Sequence, residues 1–125
     1  MREIKFRGWD VNERKMDYDV IINRGRILDI QYGNICGSYL NEDFIPMQYT
    51  GLKDKDGKEI YEGDIIHMYS VMPGCNIDEI GVVKFIECAF LFEKIDGSNG
   101  WSIFNEATEI EVVGNIYENQ ELIKN

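Results

Sequence analysis

Short runs in which apolar and polar residues alternate recur along the whole chain, and they constrain its fold more than any other feature. Near the start, Ile4 and Phe6 would lie on one face of an extended segment, and Lys5 and Arg7 on the other. A period of two is typical of a β-strand, because successive side chains of a strand point to opposite faces. The pattern predicts strands at residues 3–9, 16–22, 26–32, 44–50, 65–69, 81–86, 89–95, 101–104 and 110–116.

Polar and glycine-containing segments separate these predicted strands. Residues 10–15 have the composition of a hairpin loop, and residues 23–25 have that of a tight turn. Pro46 cannot donate a hydrogen bond to a ladder, so the strand around it should begin there or lie at the edge of a sheet. Helical character is limited to the tail, where a single turn is expected with Asn119 as its N-cap.

Together these features predict a mainly β fold, a small antiparallel barrel or sandwich of about eight short strands with a short C-terminal helical turn. A parallel sheet would need crossover helices, and the sequence shows none. The 125 residues, 44% of them apolar, suit a single domain over residues 1–125. We expect a cytoplasmic protein, since the sequence shows neither a signal peptide nor an apolar run of membrane-spanning length.

The chain has three cysteines, Cys36, Cys75 and Cys88. Cysteines that bind metals usually come in closely spaced pairs, and these three form no such pair. A free cysteine usually behaves as a small buried hydrophobe. The sequence therefore predicts reduced thiols in the core, with no metal and no cofactor.

Two further chemical sites can be tested against the sequence. The Asp-x-Asp-Gly segment ending at Gly57 resembles part of a calcium loop, but Leu52 and Gly63 then occupy the first and twelfth positions, where ligands are required. His67 is the only histidine, and it lies in an apolar strand where a structural or outward-facing role is expected. Neither a nucleotide-phosphate motif nor a nucleophile with its base is apparent. We therefore expect that the protein is not an enzyme.

The net charge of −10 is unevenly distributed. Residues 1–30 carry seven basic and six acidic side chains, residues 31–60 carry three and five, and residues 61–125 carry three and twelve. These segments sum to +1, −2 and −9. Most duplex binders need basic surface to neutralise phosphates, so sequence-specific duplex DNA is not an expected partner. The acidic segment either keeps the protein soluble or mimics a nucleic-acid backbone.

The segment at residues 48–65, QYTGLKDKDGKEIYEGDI, is similar to the central signature of the YopX family. KFRGW at residues 5–9, GVV at 81–83 and VGNIYEN at 113–119 resemble other parts of that family, so the resemblance covers nearly the whole chain. It implies a small, largely β protein from a phage or prophage of a Gram-positive bacterium, without assigned catalytic residues. One departure is Gly8, at a position where alanine is common in the family.

Four residues within the signature suit a structural turn. Gly51 and Gly57 can adopt positive φ without a steric penalty. Asp54 and Asp64 can accept hydrogen bonds from nearby backbone amides, at the turn and at the entry to the next strand. A structural turn is the first interpretation of the signature, and a ligand-binding loop is the alternative.

Basic residues gather near the N-terminus, with an aromatic side chain among them. An arginine fork beside an aromatic face suits a phosphate and a stacked base, so a small anionic ligand is one hypothesis. Ordinary surface cations that balance nearby acids are the alternative. The candidate ligand-binding residues are Lys5, Arg7, Trp9, Arg24, Arg26, Tyr49 and Lys53.

Three functions remain open from the sequence. The first is a phage-encoded, non-catalytic binding or accessory module that binds a host or phage protein through a β edge or an aromatic patch, with counter-defence as one use. The second is a sponge that sequesters a small signalling nucleotide. The third is an acidic DNA-mimic inhibitor. We expect no membrane partner, and exposed strand edges are compatible with a homo-oligomer.

Overall fold

Eleven β-strands and one short 3-10 helix form the part of the chain that the computed structural model describes. The described residues are 3–23, 26–31, 34–40, 43–70, 73–74, 78–86, 89–95, 100–102 and 108–123. Contacts divide the chain into two compact units, Met1–Tyr49 and Thr50–Asn125, within the single domain that the sequence predicts.

The strands form two sheets of six and five strands. The first has the order β4-β3-β2-β1-β5-β6, and the second has the order β10-β9-β8-β7-β11. The first sheet contains β1 (Phe6–Asp10), β2 (Lys15–Asn23), β3 (Arg26–Gln31), β4 (Asn34–Leu40), β5 (Phe44–Lys53) and β6 (Glu59–Tyr61). The second contains β7 (Asp64–Ser70), β8 (Asp78–Ile86), β9 (Ala89–Lys94), β10 (Gly100–Ser102) and β11 (Thr108–Asn115), and the 3-10 helix follows at Gln120–Leu122.

The predicted mainly β class, the antiparallel pairing and the C-terminal helical turn are confirmed. Both sheets are open among the described strands, with β4 and β6 at the edges of one and β10 and β11 at the edges of the other. A closed barrel is therefore excluded for the described strands, and two separate sheets correspond to the sandwich alternative. The structure has more strands than the eight or so predicted, and two of them, β6 and β10, contain only three residues.

Two strands, β6 and β4, were not predicted, and the longer of them is β4. It pairs antiparallel with β3, and the register shifts so that Asp29 faces Gly37 while Ile30 faces Ile35. The extra residue, Cys36, forms a bulge, which breaks the period of two that identifies a strand in sequence. Some predictions lie outside the described residues, namely Arg24 and Gly25 of the predicted turn, Tyr32, Cys75, Cys88, residues 103–104 and the side chain of Cys36.

Pro46 is the third residue of β5, and β5 lies between β1 and β6, so the strand neither begins at the proline nor lies at the edge of the sheet. Gly8 of β1 faces Pro46 in an antiparallel register. The amide of Tyr49 donates to the carbonyl of Lys5, which places the odd-numbered amides of this half of β5 toward β1. Because an antiparallel ladder alternates, the nitrogen of Pro46 points away from β1, and no hydrogen bond to that strand is lost.

In the first unit, a small core forms where β1, β2 and β5 meet. Val20 and Phe44 are buried, and Phe6 packs against them. Gly8 also lies against this core, since a Cβ at that position would overlap the ring of Phe44. The aromatic ring therefore occupies the space that an alanine side chain would need.

In the second unit, a larger core covers one face of the five-stranded sheet. Val83 of β8 faces Phe92 of β9, and both are fully buried. Ile60 from β6 is buried in the same cluster, and Leu52 from the end of β5 packs against it. The β5–β6 hairpin is therefore part of the core of this unit, and its turn lies at a position determined by that packing.

Candidate functional site

The turn between β5 and β6 is built around the carboxylate of Asp54. Its Oδ1 accepts hydrogen bonds from the amides of Asp56 and Lys58, both at 2.9 Å. Its Oδ2 accepts a third hydrogen bond, at 3.0 Å, from the amide of Val112 in β11. The next residue in the turn, Lys55, donates its amide to the carbonyl of Ile110 at 3.0 Å. Two hydrogen bonds thus join the turn to β11, the edge strand of the second sheet, one through the side chain of Asp54 and one through the backbone of Lys55.

These contacts change the ionisation of Asp54. Burial raises the pKa of the carboxyl group, but the hydrogen bonds from the amides of Val112, Lys58 and Asp56 together outweigh that effect and lower the pKa below its ordinary value of 3.8. The charged form of Asp54 is therefore the one that the folded turn stabilises.

A second turn, between β6 and β7, uses Asp64 in the same way. Its Oδ2 accepts a hydrogen bond from the amide of Tyr61 at 2.7 Å. Gly63 has φ of 88°, and its amide and carbonyl bond to Val83 and Ile116. The predicted turn glycines, Gly51 and Gly57, have φ of 89° and 83°. All four predicted turn residues thus lie where their type suits the turn. The two glycines have positive φ, and the two aspartates accept hydrogen bonds from backbone amides.

The segment after β11 is organised by two asparagines. The amide of Asn115 donates to Oδ1 of Asn119, and the amide of Asn119 donates to the carbonyl of Asn115. Asn119 precedes the 3-10 helix, but its side chain makes no capping hydrogen bond there. The predicted N-cap role is therefore wrong, because the side chain bonds backward to Asn115.

Two of the predicted anionic-ligand residues near the N-terminus, Arg7 and Trp9, are buried. Arg7 is 2% exposed, and its Nη2 lies 3.7 Å from the sulfur of Met47. Trp9 is 7% exposed, so its ring face is not available for a base to stack on. The sequence predicted an accessible arginine beside an accessible aromatic ring. Arg7 and Trp9 do not form such a site, because both side chains are buried.

The other predicted ligand residues are more dispersed. Lys5 lies over the ring of Tyr49, with Nζ 5.0 Å from the ring centroid, and pairs with Glu3 at 2.8 Å. Tyr49 itself is buried. Lys53 is exposed at the end of β5. Arg24 lies outside the described residues, as does the side chain of Arg26.

His67 lies on the face of the second sheet opposite the core. Its Nε2 contacts the carboxylate of Asp78, and its ring lies 5.1 Å from that of Tyr69. The hydroxyl of Tyr69 donates to Glu109 at 3.1 Å. Among the described residues, no cluster of histidine, cysteine or acidic side chains is suited to hold a metal. His67 is therefore part of a surface hydrogen-bonding pair, as an outward-facing strand residue would be.

The end of the β8–β9 hairpin carries apolar side chains that the core does not cover. Lys84, Phe85 and Ile86 are three consecutive exposed residues at the end of β8. Phe85 is 50% exposed, and its ring meets that of Phe90 edge to face at 5.0 Å. The sequence signal for this surface is a run of apolar residues that continues beyond the alternating part of the strand. We refer to Phe85 and Phe90, which face each other across β8 and β9, as the hairpin-end patch.

Two open antiparallel sheets and backbone-bonded turns define a small, mainly β class of protein. Within the described residues, no helix has the length and apolar character needed to cross a membrane. The chain belongs to the YopX family, since the family model described as YopX protein matches residues 5–124. The resemblance inferred from the sequence is therefore confirmed.

Two solved structures are similar to this chain over its whole length. Protein EF1440 from Enterococcus faecalis is 23% identical, with a TM-score of 0.63, and the match covers 99% of this chain and 100% of that one. Protein yopX from Bacillus subtilis is 22% identical, with a TM-score of 0.68 and the same coverage. A search among curated proteins finds no match. The two structures share the fold of this chain.

Proposed function

We propose that this YopX-family protein is a non-catalytic binding module that recognises a host or phage protein through the hairpin-end patch. The observation that carries the proposal is the exposure of Phe85 at the end of β8, where its ring and that of Phe90 form an aromatic pair on one face of the hairpin. Large aromatic side chains at the centre of an interface supply a disproportionate share of binding energy. The patch supplies such an anchor.

The net charge of the segment that contains the patch favours a partner with a basic surface. Residues 61–125, which include the hairpin, carry three basic and twelve acidic side chains. Opposite charge on the partner would speed the encounter and select against acidic competitors, while burial of the patch would supply most of the affinity. The partner we propose is therefore a protein that presents an apolar pocket surrounded by lysine or arginine.

The setting follows from the family. We propose action in the cytoplasm of a bacterial host during phage infection, with a component of host defence as one target. The nucleotide-sponge alternative is less favoured, since Arg7 and Trp9 are buried and offer no accessible stacking surface. The DNA-mimic alternative also depends on the acidic segment. In that case, DNA would compete with this protein for its partner.

A site-specific photocrosslinker at position 85 can identify the partner, and purified components then test the surface. We expect Phe85→Ser to weaken binding at least tenfold, since hot-spot truncations cost about 2 kcal/mol or more. Ile21→Ser is the matched control, because Ile21 is 48% exposed on β2 of the other unit and should change the affinity little. Isothermal titration calorimetry measures both variants.

Two results would contradict the proposal. One is an unchanged affinity in Phe85→Ser together with a loss in Ile21→Ser, which would move the interface to the first sheet. The other is complete displacement of the partner by duplex DNA with a steep salt dependence, which would favour the DNA mimic.

A further inference from the structure

A surface pocket of about 270 Å³ lies in the second unit beside β8 and β9. Four branched aliphatic side chains form its apolar lining, and charged side chains supply the rest. The lining residues are Val82, Lys84, Glu93, Lys94, Ile95, Ile116 and Ile123. A mostly apolar pocket with a few polar groups is the usual character of a small-molecule site.

The distribution of lysine makes this pocket unusual within its surroundings. Residues 61–125 contain three basic residues, Lys84, Lys94 and Lys124, against twelve acidic ones. Both Lys84 and Lys94 line the pocket. Only one acidic residue, Glu93, lines it with them. Within the described part of this acidic segment, the pocket is therefore a place where an anionic group would meet a lysine ammonium.

Both lysines make ion pairs, and that of Lys84 is the one that a ligand in the pocket could replace, because Lys84 and Glu93 share one face of the sheet with Val82, whereas Lys94 and Glu79 point to the other. Lys84 lies 2.6 Å from Glu93, and Lys94 lies 3.0 Å from Glu79. The side chain of Lys84 is nearly half exposed. Exposed ion pairs contribute little to stability. A ligand carboxylate can therefore share or take over the ammonium of Lys84 at low cost.

The C-terminal segment forms one wall and is held in place before any ligand arrives. The amide of Ile116 donates to the carbonyl of Gly63 at 3.0 Å. The side chain of Asn115 accepts hydrogen bonds from the amides of Tyr117 and Glu118. A preformed wall lowers the cost of ordering the site on binding.

We propose that this pocket binds a small aliphatic carboxylate, with its chain against Val82, Ile116 and Ile123 and its carboxylate at Lys84. An apolar cavity of about 150 Å³ accepts a benzene molecule, so this pocket suits a ligand of roughly ten non-hydrogen atoms. The site is distinct from the hairpin-end patch and does not depend on a protein partner.

Sodium octanoate is a probe of suitable size, and 1-octanol is its neutral counterpart. Titrations followed by methyl-resolved NMR should show shifts at Val82, Ile116 and Ile123, with octanoate binding more tightly than octanol. We expect Lys84→Gln to weaken octanoate binding by about threefold to fivefold, which corresponds to the loss of one partly exposed charge contact, and to leave octanol unchanged.

Further variants separate charge from fold. Lys84→Gln with Glu93→Gln removes the ion pair without leaving an unpaired carboxylate, and it should bind both probes with similar affinity. Lys15→Gln, in an exposed position on β2, makes the same change in net charge away from the pocket and should bind as the unaltered protein does. Ile123→Ala should weaken binding of both probes, because it shortens the apolar wall.

Equal affinity of the unaltered protein for octanoate and octanol would overturn the proposal, since the lysines would then have no role. Octanoate-induced shifts confined to residues outside the pocket would overturn it as well. A response of Lys15→Gln as large as that of Lys84→Gln would assign the effect to overall charge and would have the same consequence.

Discussion

Gly8 shows how one residue can depend on a neighbour that is distant in sequence. The sequence alone provides no reason for a glycine at this position. In the structure, a Cβ at Gly8 would overlap the ring of Phe44, which faces Asp10, two residues further along β1, across the pair of strands. Phe44 is almost completely buried, so its ring has no free space to move into.

We expect Gly8→Ala to destabilise the protein by about 1–3 kcal/mol, which is the usual cost of adding volume to a packed core. Phe44→Leu should also destabilise the protein when made alone, because it leaves a cavity. The double variant should be more stable than the sum of the two changes predicts, since the smaller side chain makes room for the methyl group. Urea unfolding of all four proteins measures this coupling, and strict additivity would show that the two residues do not compete for space.

At the scale of elements, the β5–β6 turn is more than a connection between strands. Asp54 bonds to two amides of its own turn and to Val112 of β11, and the amide of Lys55 bonds to β11 as well. The side chain of Lys55 bonds to Tyr69 and Glu111, which raise its pKa above the ordinary value. The β5–β6 turn therefore anchors its hairpin to β11, in the sheet of its own unit.

Asp54→Asn should destabilise the protein by about 1–3 kcal/mol at pH 7, because an amide group would face the donating amide of Val112. The folded-state pKa of Asp54 lies below its ordinary value of 3.8. Its stabilisation is thus present above the unfolded pKa and lost as the pH falls through the folded pKa. The difference between the two proteins should narrow below about pH 3.8.

Urea unfolding between pH 7 and pH 3 follows that difference. Asp56→Asn is the matched control, because Asp56 is an exposed acid of the same turn. It should change stability by less than about 0.5 kcal/mol, as surface substitutions usually do. A deficit in Asp54→Asn that stays constant across this pH range would contradict the role of the charged carboxylate.

At the scale of the whole molecule, charge is the dominant feature. The net charge of −10 is carried mostly by residues 61–125, whereas residues 1–30 are nearly neutral. Ion pairs such as Lys84 with Glu93 lie on the surface and are expected to contribute little. Repulsion among carboxylates should therefore exceed the attraction of the ion pairs.

We expect the free energy of unfolding to rise by roughly 1 kcal/mol between about 20 mM and 200 mM NaCl, because two like charges about 10 Å apart repel by roughly 0.4 kcal/mol in water and salt screens this repulsion. Glu121→Lys changes the net charge from −10 to −8 at an exposed position, and it should reduce the salt effect. Unfolding midpoints in urea at several salt concentrations measure both. A decrease in stability with salt would show that ion pairs dominate instead.

The sequence by itself determined the local features of this protein. Alternation of side chains identified most strands, and the positive-φ glycines and turn aspartates followed from turn chemistry, because both depend on residues close together in the chain. The bulge at Cys36 concealed β4, since its extra residue interrupts the alternation. Family membership also followed from the sequence, through motifs spread along its length.

Only the tertiary structure decided which side chains are accessible and which distant groups meet. Arg7 and Trp9 alternate as surface residues would, yet the strands around them leave both buried. Asn119 is of a residue type that often caps helices, yet its side-chain oxygen accepts a hydrogen bond from the amide of Asn115 instead. Burial and pairing depend on contacts between segments far apart in sequence, and a local pattern carries no information about those contacts.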